Sequence, residues 1–233
     1  MLSALRAEKD RRHTTNRLQY YKPYKKQADF HAAGAKFRER ICCAGNQLGK
    51  TTAGSFEVAY HATGRYPDDW QGKRFDRPTV GWACSGEVVK DTVQRLLVGR
   101  PGSLGTGAIP KDAILETVTA RGIADLMASI KVQHVSGGVS LIGLKSYLAG
   151  REPFQGETLD YCWCDEEPPI DIYTEILTRT NVGNGPVWLT LTPLLGVSAV
   201  VKRFLHEKSP DRHVTFITIG WLTIFRPKKS KGL

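Results

Sequence analysis

The residues that most constrain this chain are Ala44-Gly45-Asn46-Gln47-Leu48-Gly49-Lys50-Thr51. They fit the pattern G-x-x-x-x-G-K-[ST] with Ala in the first place. An apolar run, Phe37 to Ala44, precedes them, and Thr51 to His61 follows with Ala53, Phe56, Ala59 and Tyr60 at helical spacing. A strand, turn and helix in that order aim successive backbone N–H groups and the positive end of a helix at a phosphate. Gly49 lets the backbone approach without a Cβ in the way. Lys50 would reach the β- and γ-phosphates, and the Thr51 hydroxyl would ligate Mg²⁺. Ala44 to Thr52 is therefore the expected nucleotide-binding loop, with ATP and Mg²⁺ as its ligands.

Such a loop needs a carboxylate partner, and Tyr161-Cys162-Trp163-Cys164-Asp165-Glu166 offers one: an apolar strand ending in two acids, the Walker B arrangement. Asp165 would hold Mg²⁺ and Glu166 would align the attacking water as a base. Between and around these motifs, strand and helix patterns alternate. Strands are expected at Thr79–Cys84, Ser129–Val135, Val139–Tyr147, Leu159–Cys164, Pro186–Thr192 and His213–Ile219, and helices at Glu87–Val98, Ile170–Arg179 and Ser198–His206. Gly137-Gly138 reads as a hairpin turn. The pattern predicts an α/β fold with a central, mostly parallel sheet flanked by helices. A Glu directly after the Walker B Asp places it in the additional-strand, RecA-like class of P-loop NTPases.

Length and charge bound the alternatives. The 233 residues suit one large domain with a small appendage, and no apolar stretch approaches a membrane span. The N-terminus is basic and polar with no apolar h-region, so a secretory signal is not expected there. The net charge of +10 is uneven: residues 1–50 hold 12 Lys/Arg against 4 Asp/Glu, residues 221–233 hold 4 basic groups and no acid, and the rest sums to −2. Only the arm supports nucleic-acid contact, with Arg6, Lys9, Arg11, Arg12, Arg17, Lys22, Lys25 and Lys26 among Tyr20, Tyr21 and Tyr24, and solvated charge is the other reading of it. Cys42, Cys43, Cys162 and Cys164 lie in apolar runs and read as buried reduced thiols.

Four features in order resemble the large terminase subunit of tailed bacteriophages, the motor that packages DNA into proheads. Pro23-Tyr24-Lys25-Lys26-Gln27 looks like that family's adenine-recognition segment, with Gln27 on the base. Gln47-Leu48-Gly49-Lys50-Thr51 has its Gln-x-Gly-Lys-Thr core, and Asp165-Glu166-Glu167-Pro168 its Walker B ending. Thr190-Leu191-Thr192-Pro193 looks like its coupling motif, in which Thr190 and Thr192 sense the γ-phosphate. The resemblance implies an ATP hydrolase acting on double-stranded DNA, with a portal protein and a small terminase subunit as partners. It also implies a homo-oligomeric ring in the bacterial host's cytoplasm and no membrane. Three parts follow: a basic arm with the adenine segment at 1–30, the P-loop ATPase domain at 31–220, and an atypical basic tail at 221–233.

Three departures accompany the match. Asn46 stands where many terminases carry an Arg, so a charge-neutralising guanidinium would come from elsewhere, with Arg151 in trans the candidate catalytic residue; a surface salt bridge is its bland alternative. No room is left for the family's C-terminal nuclease domain, so no DNA cleavage is expected. The tail is unlike the family. A two-nucleotide frame shift after Trp221 can read Ala-Asp-His-Leu-Pro-Pro-Glu-Glu-Lys-Gln-Gly, which makes an out-of-frame end the expectation. Two alternatives stay open at this point: a truncated remnant that binds nucleotide or partners without turnover, and another P-loop DNA translocase.

Overall fold

The computed structural model describes residues 2–86, 89–193, 198–207 and 209–218. The basic tail from Trp221 and the first two residues of the helix expected at Glu87 lie outside them. Three strands carry the centre: β1 (Glu39–Ala44), β6 (Tyr161–Asp165) and β7 (Val187–Leu191) are buried at every position. Apolar runs without alternation give such strands because both faces of the sheet are covered. With β2 (Val80–Ser85), β3 (Ile114–Thr119), β4 (Met127–Gln133), β5 (Val139–Ser146) and β8 (Arg212–Ile217) they form one eight-stranded sheet in the order β3-β4-β5-β2-β6-β7-β1-β8. Pairing is parallel from β5 through β8 and antiparallel in the β3-β4-β5 meander. β7 lies between the phosphate-loop strand β1 and the acidic strand β6, which is the additional strand of the expected class.

Helices sort by the alternation of β1. Cys42 and Ala44 face the layer holding Phe56 and Val58 of α4 (Lys50–Thr63). Ile41 and Cys43 face Ile172 and Ile176 of α6 (Ile170–Arg179) and Val200 and Phe204 of α7 (Ala199–Leu205). All five cysteines are buried and free, and burial pushes the Cys42 and Cys43 thiols up to about 12, so they stay protonated.

The N-terminal arm is not one piece. Helix α1 (Leu2–Thr15) shows Lys9 to Thr14 to solvent, but α2 (Arg17–Tyr20) buries Leu18, and Tyr21 stacks on Phe56 at 4.0 Å. Helix α3 (Lys25–Ala33) starts two residues after Pro23 and buries Gln27, Phe30 and His31. Beneath it lies a sealed ion cluster that the sequence did not betray. Glu57 of α4 and Arg40 of β1 are both 0% exposed and paired. Arg40 Nη1 also donates to the Phe30 carbonyl at 2.9 Å, while His31 Nδ1 lies 2.8 Å and His61 Nε2 3.6 Å from the Glu57 carboxylate. This cluster joins α3, β1 and α4, the three elements around the phosphate loop.

Two local expectations needed correction. Ile114–Thr119 was not read as a strand: it is an edge strand with two register irregularities, and Leu115 and Val118 are exposed, so neither alternation nor a continuous apolar run marks it. The helix expected over Glu87–Val98 is, in its described part, a π-turn at Lys90–Gln94 running into α5 (Arg95–Val98).

Candidate nucleotide site

The loop Gly45–Gly49 leaves β1 and enters α4 with Gly49 at the N-cap in the left-handed region, φ 73°. A Cβ is disfavoured there, which explains the glycine. Ala44 replaces the usual first glycine without strain because it is still strand, paired in register with Ile217. Gln47 also has positive φ, 61°. Lys50 and Thr51 open α4, so their amides and the helix's positive end face the same cradle.

Two side chains of the adenine-like segment grip this loop from one flank. Gln27 Nε2 donates to the Gly49 carbonyl at 2.8 Å and Tyr24 Oη donates to the Leu48 carbonyl at 2.5 Å. Gln27 Oε1 closes a capping box by accepting from Tyr24 N at 3.2 Å. Gln27 is 5% exposed, so a role in reading a base would fall to what this clamp leaves of the amide.

The other flank holds the acids. Asp165, last residue of β6, is 4% exposed and accepts the Thr190 hydroxyl at 2.7 Å. Burial pushes its carboxyl up to about 6 against the Thr190 bond and the nearby Thr51 hydroxyl, with Glu166 raising it further and Lys50 opposing. Glu166 sits at φ 67°, one of four non-glycine residues with positive φ among those described, and its N–H donates to the Thr190 carbonyl at 2.9 Å. Such a backbone costs about 1–3 kcal/mol and concentrates at working sites. A Cβ on Gly86, one residue past β2, would stand 2.8 Å from Glu166 Oε2, so only glycine leaves the carboxylate its place.

The two threonines divide. Thr190 is sealed at 0% exposure and bonded to Asp165, whereas Thr192, one residue past β7, donates to Asn46 Oδ1 at 3.2 Å in the phosphate loop. The Arg151 side chain is tied to α6 instead: its Nε and Nη2 donate to Glu175 Oε2 at 3.2 and 2.7 Å, and the other Glu175 oxygen pairs with Arg179. The ion pair weighed as the bland reading of Arg151 is therefore what this chain forms. Gly86 and the Tyr24 hydroxyl were not legible as site groups, since a glycine and a tyrosine hydroxyl carry no such signal until the fold brings them to the loop and the acids.

Among the described residues no group of three or more His, Cys, Asp or Glu side chains could hold a metal unaided. The donor set nonetheless fits Mg²⁺: Thr51 and Asp165 are in contact, and the carboxylate is buried with little positive charge beside it. Phosphate oxygens would complete the shell, as hard cations of this kind require. Two open cavities, of 270 and 400 Å³, lie against the arm and are lined by residues such as Tyr21, Tyr66, Arg12 and Lys111, not by the loop.

An additional-strand phosphate-loop NTPase is the class that this sheet order and this site define. Comparison with known proteins narrows it. The family model for the T4-like-virus type of terminase large subunit, N-terminal part, matches residues 41–224, and the chain belongs to that family. The terminase large subunit of Salmonella phage P22 is 40% identical over 240 residues, covering 94% of this chain and 48% of that protein. That of Enterobacteria phage LP7 is 26% identical, covering 94% and 50%. The chain thus spans about half the length of these curated relatives. The solved large terminase ATPase domain of Thermus phage P74-26 superposes with a TM-score of 0.61 at 19% identity, covering 86% of this chain and 83% of that one, which bears on the fold. No helix among the described residues is long and apolar enough to cross a membrane.

Proposed function

We propose that these residues form the ATP-hydrolysing motor domain of a phage terminase large subunit, coupling hydrolysis to the packaging of double-stranded DNA. The observation that carries this is the meeting of Thr51, Asp165 and Glu166 at the open end of the α4 cradle, with Glu166 held in a strained backbone above Gly86. The α4 amides and Lys50 bind the β- and γ-phosphates, and Tyr24 and Gln27 hold the loop in shape from the adenine side. Thr51 and Asp165 would hold Mg²⁺, which would supply charge neutralisation on the phosphates. Glu166 orients water for in-line attack and accepts its proton. Thr192, bonded to Asn46, carries a change at the phosphates into β7 and the following segment, which is the coupling role. Packaging further implies a ring of copies, a portal protein and a small terminase subunit as partners, and the host cytoplasm as the setting.

A second reading, nucleotide binding without turnover, is favoured by one fact: Asn46 supplies no charge at the phosphate loop, and Arg151 is engaged by Glu175. ATPase assays with and without DNA separate the two. Glu166→Gln should lower the rate by about 10²–10⁴-fold while leaving nucleotide affinity in place. Equal turnover in both proteins would refute the assignment of Glu166, and binding with no turnover in either would establish the second reading.

A further inference from the structure

Trp163 lies in the apolar part of the acidic strand, where no chemical role was assigned, yet it stands two residues before Asp165 and on the same side of the sheet. Its Nε1–H donates to Thr190 Oγ1 at 2.9 Å, and Thr190 Oγ1 donates to Asp165 Oδ1 at 2.7 Å. Trp163 and Thr190 are both 0% exposed, so water does not compete for either bond. The chemistry of the three groups fixes the direction of the chain of bonds. An indole N–H only donates, and a threonine hydroxyl has one proton and two lone pairs. Once its oxygen accepts from Trp163, the single Thr190 proton points at Asp165. Oδ1 must then be an acceptor, and the carboxylate plane is set.

Helix α4 presses this arrangement from the other side. Gly54 faces the indole, and a Cβ there would come within 2.4 Å of Trp163 Nε1. The phosphate-loop helix therefore carries a glycine where the indole must lie close to it.

We propose that Trp163 is a positioning residue for the cation-binding carboxylate: by fixing the Thr190 hydroxyl, it holds Asp165 in the orientation that accepts Mg²⁺ beside Thr51. This rests on the reading of Asp165 as the Mg²⁺ partner given above. It reassigns Thr190 from sensing phosphate to aiming the carboxylate, and leaves contact with the phosphate loop to Thr192. Groups behind a metal ligand act by orienting it, and losing one typically weakens metal binding about 10–100-fold.

The test is a Mg²⁺ titration of the whole chain bound to a fluorescent ADP analogue, read as nucleotide affinity in EDTA and at increasing Mg²⁺. Trp163→Phe keeps an aromatic ring and removes the N–H donor together with part of the buried ring volume, and Thr190→Val supplies the comparison that leaves the indole in place. Trp163→Phe should shift the Mg²⁺ midpoint upward by about tenfold or more, with EDTA affinity unchanged. Thr190→Val should do the same, and the double variant should be no worse than Thr190→Val alone, because both changes cut one chain of bonds. Thr190→Ser, which keeps the hydroxyl, should stay near the parent. A parental midpoint in Trp163→Phe, or additive shifts in the double variant, would overturn the proposal. If Trp163→Phe does not fold, Gly54→Ala decides: it leaves every donor present and crowds the indole, and an unaltered midpoint there is equally fatal. Asp165→Asn is the separate control, since an unchanged Mg²⁺ response in that variant removes the Mg²⁺ reading itself as well as the role given to Trp163.

Discussion

Helix α4 carries one buried carboxylate, Glu57, and its first turn adjoins another, Asp165, and their surroundings differ in one respect. Glu57 is completely enclosed, but Arg40 and two histidines surround it. Burial alone would raise its carboxyl, and the Arg40 charge with the His31 and His61 bonds outweighs that and holds it well below the usual range. Asp165 is nearly as enclosed but has hydroxyl donors, a neighbouring acid and the partial influence of Lys50, and it ends up raised to about 6. The first charge is compensated within the fold and so is part of the scaffold. The second is under-compensated, which supports the proposal that Asp165 is a cation ligand. The contrast distinguishes the two acids where burial alone does not.

The largest effect should come from breaking the compensated one. Glu57→Gln or Arg40→Met leaves an unpaired polar or charged group sealed in the core and should cost about 3–5 kcal/mol, read as a lower urea midpoint. A loss below about 1 kcal/mol would mean that water reaches the cluster. Asp165→Asn should move the other way. Removing a buried charge whose carboxyl has been raised from 3.8 to about 6 should stabilise the nucleotide-free protein by about 3 kcal/mol, at 1.36 kcal/mol per unit. Its melting temperature in EDTA should rise and the extra stabilisation by Mg²⁺-nucleotide should disappear; a lower melting temperature would show that the carboxylate is already satisfied.

A smaller effect concerns pH. Burial lowers His61 below its ordinary value of 6.5, so the unfolded chain binds a proton there before the folded one does. That contribution is complete above about 6.5 and is lost as the pH falls, at up to about 1.4 kcal/mol per unit. Asp165 has the opposite sign below about 6, since its raised carboxyl favours the folded state on protonation. The drop in stability between pH 7 and 5 should therefore be steeper in Asp165→Asn and shallower in His61→Phe. Identical slopes in all three proteins would remove the contrast drawn between the two acids.

Much of this was legible in the chain. The phosphate loop, the acidic strand end and the order of motifs sit within continuous segments whose geometry is local: a strand, a tight turn and a helix start. The helix expected from about Ile170 to Arg179 forms over those residues. The edge strand at Ile114 escaped because half of it faces solvent and its pairing is irregular. The chain alone left Arg151 open between a role in trans and a surface salt bridge, because its partner Glu175 is 24 residues away.

The sequence by itself determined the class of site, because Gly49, Lys50, Thr51, Asp165 and Glu166 are chemical requirements that only a few residue types meet at fixed places along a strand and a turn. The tertiary structure alone decided what stands behind them. Arg40 under Glu57, Trp163 behind Thr190, and Gly86 opposite Glu166 are matters of which strands become neighbours and how closely a helix approaches them. Such contacts depend on distances between segments far apart in the chain, and no local spacing of residue types encodes them.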